Sequence, residues 1–247
     1  MMRSMRLLTA LAVLTPAGLT WTDIVSCLER GAATSDAVVL RAAITDAEQL
    51  ADVTGQDRER ELALNAAAYG KWRLCAVPGV PPAESVKLLN GAEKNLHDLL
   101  KVNATSGEAY ALLASVLGQM IRFSGGGNKM ELGPEAQHMR EQALRLEPDN
   151  PRVVLQSAVT LFHTPAEYGG GPYKAEPGLR QALALFEREP AGRPWPNWGR
   201  FDAHAWLGQA LAARGDKAGA RSEYDRALAV WPSSNWVKDV LIPALSR

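Results

Sequence analysis

The chain has 247 residues, of which 47 % are apolar and 22 % charged, a composition that excludes wholesale disorder and leaves ample length for a buried core. Its 27 basic residues balance 27 acidic ones, so no net positive field draws it to nucleic acid or to an anionic membrane surface. Strand signals are nearly absent: apolar residues recur at helical spacing between Gly, Pro, Asn and Asp, with no sustained two-residue alternation.

Residues 1–20 have the pattern of an export signal. Arg3 and Arg6 precede an apolar run from Leu7 to Leu14, broken only by Thr9, and Pro16 and Gly18 then stop any helix. The run is too short to cross a hydrocarbon core about 30 Å thick and has the length of a signal-peptide core. Thr15 and Ala17 are small enough for cleavage after Ala17, so a periplasmic or secreted location is expected, with no integral membrane span. Ile24-Val25-Ser26-Cys27 makes a poor lipid-attachment box, because Asp23 interrupts the apolar stretch. Cys27 and Cys75 either pair, in an oxidising compartment, or stay as buried thiols on separate helices.

Residues 21–57 hold N-terminal helices, including one from Ser35 to Val53 with Ser35 and Asp36 as candidate N-caps. Glu59–Val77 and Glu84–Val102 follow as a helical pair, with Ala92, Leu96 and Leu99 on one face. The next pair is Glu108–Gly118, carrying Tyr110, Leu113, Ala114 and Leu117, and Pro134–Leu146, carrying Ala136 and Ala143. An inserted loop, Phe123–Gly133, is expected between them. Val154, Ala158 and Leu161 mark the first helix of a further pair; Ala175, Leu179 and Ala182 mark the second, after an insertion from Thr164 to Tyr173. The clearest unit is Phe201–Ser234. Counted from Phe201, Leu207, Gly208 and Leu211 take places seven, eight and eleven. Gly215-Asp216 makes a turn, Ala220, Tyr224 and Ala227 take places twenty, twenty-four and twenty-seven, and Pro232 takes place thirty-two. Ser233–Arg247 then reads as a capping helix that buries Trp236, Val240 and Leu241.

The Phe201–Ser234 unit resembles the tetratricopeptide repeat, a helix–turn–helix of 34 residues, with His204 in place of the usual aromatic. The resemblance implies an all-α, right-handed helical solenoid. About four repeats (58–105, 106–150, 151–190 and 201–234) would follow the N-terminal helices and end in a cap at 235–247. Small residues at Gly208, Ala220 and Ala227 would let the two helices cross closely. Thr164-Pro165-Ala166-Glu167-Tyr168-Gly169-Gly170-Gly171 and Pro196-Asn197-Trp198-Gly199 are similar to stretches in exported bacterial tetratricopeptide proteins of unassigned activity.

No catalytic constellation accompanies this pattern. His97, His138, His163 and His204 occupy unrelated positions in their repeats, and neither HExxH nor CxxC occurs. No metal, cofactor or enzymatic role is expected. Gly125-Gly126-Gly127-Asn128-Lys129 lacks the preceding strand and spacing of a phosphate loop. Tyr168, Gly169 and Gly170 form a candidate binding loop, in which Tyr168 could fold back over a groove. The resemblance also implies a concave face lined by the first helices of the repeats. Its candidates are Gln119 from one repeat, Arg152, Leu155, Val159, Phe162 and His163 from the next, and Asp202 and Gln209 from the last. Leu155, Ala205 and Ala111 stand where chaperone-tail clamps have lysine, so that role is disfavoured. The expected partner is a protein or peptide held in this face. The alternatives are a structural adaptor whose groove is filled by Ser35–Val53 and an enzyme with its site on the glycine-rich loops. Oligomeric state is not readable from the sequence.

Overall fold

The computed structural model describes residues 20–123, 126–190 and 195–246, without the side chains of 126–130. The export segment up to residue 19 and Gly125 lie outside the described residues. The described chain is helical, with no strand: α1 Trp21–Thr34, α2 Ala37–Val53, α3 Asp57–Leu74, α4 Pro82–Val102, α5 Gly107–Phe123, α6 Gly126–Leu146, α7 Pro151–His163, α8 Pro172–Glu187, α9 Arg200–Ala213 and α10 Lys217–Val230. A π-helical segment, Trp236–Leu241, runs into a last turn, α11 Ile242–Ala244.

The helix ends follow from local chemistry. Thr20 and Asp23 make a capping box that opens α1, and Asp36 accepts hydrogen bonds from Val38 and Val39 N–H to open α2. Asn150 caps α7 at Arg152 N–H with Pro151 in the first turn, where a missing donor costs nothing. Ser35, expected as a cap, instead closes α1 in the left-handed conformation, with φ of 56°.

Consecutive helices pack as hairpins. The odd-numbered helices α1, α3, α5, α7 and α9 also touch one another in sequence, whereas the even-numbered ones make no comparable contact with each other. The odd helices therefore line the inner side of an arc and the even helices its outer side. The helices of residues 21–57 extend the repeat pattern by one hairpin, with α2 packed on α3.

The close crossing read from small residues is present. A Cβ on Gly208 would lie 2.4 Å from the Tyr224 ring, and Ala220 and Ala227 are fully buried. Ala227→Leu should cost about 1–3 kcal/mol through overpacking, whereas Ala213→Leu, at an exposed site, should stay within about 0.5 kcal/mol. Urea unfolding of the two variants checks this; equal midpoints would show that the repeat is out of phase.

Two boundaries are corrected. Helix α6 starts at Gly126, eight residues before the expected Pro134, and carries Pro134 within it. The cap is not one α-helix: its π-helical turn buries Val237 and Leu241 and leaves Val240 55 % exposed. Cys27 and Cys75 are free thiols, half-buried on α1 and just after α3. Burial pushes the Cys75 thiol up to about 12, which keeps it protonated and unreactive.

Candidate functional site

The inner face, expected as one open groove, is divided. Its first half is closed. Arg152 is fully buried, donating to both carboxylate oxygens of Glu189 at 2.5 and 3.1 Å and lying 3.9 Å from Glu108. Leu155 is buried beneath the backbone of Gly199, where a Cβ would meet Leu155 at 3.2 Å and Phe186 at 2.6 Å; the φ of 114° there also suits glycine alone. Asp202 is buried too, accepting from Arg73 Nη1 at 2.7 Å. Arg152, Leu155 and Asp202 are thus interior residues and not the walls of an open groove.

The closure comes from the segment before α9, not from α2. Trp198 stacks on Tyr69 of α3 at 4.8 Å between ring centroids, and Trp195 sets its edge against Tyr69 and against Trp21 of α1. The two tryptophans of this linker reach across the arc to the first two hairpins. Arg73 completes the join. Its guanidinium lies 5.9, 5.7 and 5.8 Å from the rings of Tyr69, Trp72 and Trp231 while its charge meets Asp202. Ser35–Val53, proposed as filler, packs instead along α1 and α3.

The second half of the inner face stays accessible. Val159, Phe162, Gln119 and Gln209 are half-buried and His163 is exposed. The Phe162 ring lies 5.3 Å from the His163 ring and 5.2 Å from that of Trp206, and His163 lies 4.9 Å from Trp206. Trp206 continues to Trp236 of the cap at 5.5 Å. These centroid separations suit edge-to-face packing, so the row is one continuous aromatic edge. Gln119 Oε1 and Gln209 Nε2, both buried atoms, make no hydrogen bond. Although His163 reaches solvent, the Phe162 and Trp206 rings against its imidazole partly desolvate it and lower its pKa below its usual value near 6.5. The unfolded chain therefore holds the proton more tightly, so this residue destabilises the fold as pH drops through about 6.5 and has no such effect above it. Its imidazole resonances should titrate with a midpoint below 6.5; a higher midpoint would place a carboxylate against the ring.

The glycine-rich loop follows α7 directly. Ala166–Tyr168 forms a single 3-10 turn, and Gly169 leaves it with φ of 79°. Gly170 is buried against Thr164. Tyr168 is 78 % exposed and does not fold back over the groove. Among the described residues, no group of three or more His, Cys, Asp or Glu is placed to hold a metal ion, and no helix is long and apolar enough to cross a membrane.

Sequence reasoning missed Arg73 and Tyr69. A signal was present: α3 carries Ala66-Ala67-Ala68-Tyr69-Gly70 with no polar face, the mark of a helix buried all round.

No family model and no curated protein matches the sequence. Among solved structures, the HusA haemophore from Porphyromonas gingivalis is similar at 23 % identity with a TM-score of 0.63, over 78 % of this chain and 94 % of that one. TTC0263, a thermophilic TPR protein of Thermus thermophilus, is similar at 20 % identity with a TM-score of 0.59, over 90 % and 98 % of the two chains. With its helical hairpins stacked into an arc, the chain is an all-α solenoid of the tetratricopeptide-like fold.

Proposed function

We propose that this protein is a non-enzymatic scaffold of the bacterial cell envelope that holds a protein or peptide segment on the accessible half of its inner face. The observation that carries this is the aromatic edge Phe162–His163–Trp206, half-exposed on the one stretch of the inner face that the linker leaves uncovered. Aromatic rings with a wet rim are the side chains that anchor partner segments, and a helical-repeat scaffold is the common property of the fold. The envelope location rests on the Arg3–Ala17 pattern alone.

Photo-crosslinking tests it. A photoreactive residue at His163 should give protein adducts in cell-envelope extract, and one at Arg221, exposed on the outer helix α10, should not. Adding Phe162→Ala should remove the His163 adducts. Equal labelling at both positions would sink the proposal. Cell fractionation, with N-terminal sequencing of the product, tests export; an intact Met1 in the cytoplasm would refute it.

His163 favours a second reading, because HusA is named a haemophore. A neutral imidazole on an aromatic edge is what a haem iron and its macrocycle require. Haem titration discriminates: a Soret shift lost in His163→Ala adopts this reading, and an unchanged spectrum rejects it.

A further inference from the structure

Trp195-Pro196-Asn197-Trp198-Gly199 sets two indoles three positions apart on a stretch without regular structure, and Pro196 has no amide N–H to donate. The segment crosses the inner face as a strap. Both indoles lie inside, 3 % and 4 % exposed, while Asn197 between them faces solvent. Ring meets ring at each contact. Trp198 lies 4.8 Å from Tyr69 and 6.5 Å from Trp72, and Trp195 lies 5.4 Å from Tyr69 and 6.5 Å from Trp21. Among the described residues, no hydrogen bond joins Trp195–Trp198 to the helices around them.

A strap held in this way is replaceable. Apolar contact is non-directional, so a second segment with the same two indoles recovers it without having to match a set of hydrogen bonds. The seated strap also carries a cost. Nε1 of Trp195, Trp198 and Trp72 and the hydroxyl of Tyr69 are buried at this contact without a hydrogen bond. Unmade bonds at buried polar atoms favour any state that returns those atoms to water. The strap can also be reached from outside: Pro196 borders a cleft of about 190 Å³, and Arg58, with a side chain 66 % exposed, stands at the opposite wall.

We propose that the strap is an autoinhibitory plug. Trp21, Tyr69 and Trp72 form a peptide-binding site that Trp195 and Trp198 occupy in the free protein, and a partner segment carrying two tryptophans three positions apart displaces them. Binding of such a segment shifts the chain from a strap-seated to a strap-released population. The site shares no ring with the aromatic edge, and the reading does not depend on that edge.

Titration of the full chain, labelled with nitrogen-15, with the unlabelled peptide acetyl-Trp-Pro-Asn-Trp-Gly-amide tests this. Saturable binding is expected, and the same peptide with alanine for both tryptophans should not bind. The indole N–H resonances of Trp195 and Trp198 should move to the positions and the fast water exchange of exposed indoles, while that of Trp206 stays. Phe162→Ala should leave the affinity unchanged. Trp198→Ala, which vacates half of the site, should tighten binding at least tenfold, an effect that a merely structural strap does not produce; if that variant does not fold, the resonances of the unaltered protein decide alone. No saturable binding at millimolar peptide, or binding with the Trp195 and Trp198 resonances unmoved, overturns the proposal. So does a folded Trp198→Ala variant of unchanged or weaker affinity. Movement of the Trp206 resonance alone places the peptide on the aromatic edge, which overturns the plug and leaves the function proposed above standing.

Discussion

Asp202→Ala should lower the unfolding free energy by about 3–5 kcal/mol, the loss expected when one member of a buried ion pair is removed and the other stays. Arg73 and Asp202 have side chains only 15 % and 7 % exposed, so water cannot replace the missing partner. The rings of Tyr69, Trp72 and Trp231 remain around the guanidinium, and each offsets about 0.5–2 kcal/mol of the cost at most. Asp202 also lies in the first turn of α9, where a negative charge contributes about 0.3–1 kcal/mol against the helix dipole. Its Oδ2 makes no hydrogen bond, so the native pair is itself imperfectly satisfied. The double variant Arg73→Met with Asp202→Leu should therefore regain most of the loss. Urea unfolding measures both; a loss below about 1 kcal/mol in Asp202→Ala would mean that the pair is solvated. Because the pair ties α3 to α9, which are not neighbours in the repeat order, amide exchange in α9 and α10 should rise more than in α5.

The parts of the fold that could be read from the chain are those in which contact partners lie close in sequence. Gly208, Ala220 and Tyr224 meet within one hairpin, and their spacing alone places them together. The caps at Asp36 and Asn150 are likewise settled within three residues. The site was less legible because it depends on contacts between distant residues. Nothing near Arg73 announces Asp202, 129 positions later, and nothing near Trp198 announces Tyr69. A repeat pattern reports the places that face inward and is silent on whether the arc closes. It therefore put Arg152, Leu155 and His163 on one surface, although the first two are buried and the third is exposed. The start of α6 was misplaced for the opposite reason: three consecutive glycines argue locally for a loop, and the helix nevertheless begins at Gly126.

Arg152→Glu should be the most damaging single substitution, with a cost on the order of 5 kcal/mol or more, comparable to the whole stability of an ordinary domain. The change removes a fully buried cation that grips Glu189 with two hydrogen bonds and sits 5.3 Å from the Phe186 ring. It also sets a new carboxylate among Glu108 and Glu189, and like charges in a site of low dielectric repel strongly. Arg152→Met keeps the stem and removes only the charge, so it should cost less, about 3 kcal/mol. The gap between the two variants measures the repulsion. Far-ultraviolet circular dichroism on heating checks the order: Arg152→Glu unfolded or melting far below Arg152→Met is expected. If Arg152→Glu instead melts close to the unaltered protein, residue 152 faces solvent, the first half of the inner face is open, and the closure built by Trp195, Trp198 and Arg73 is wrong.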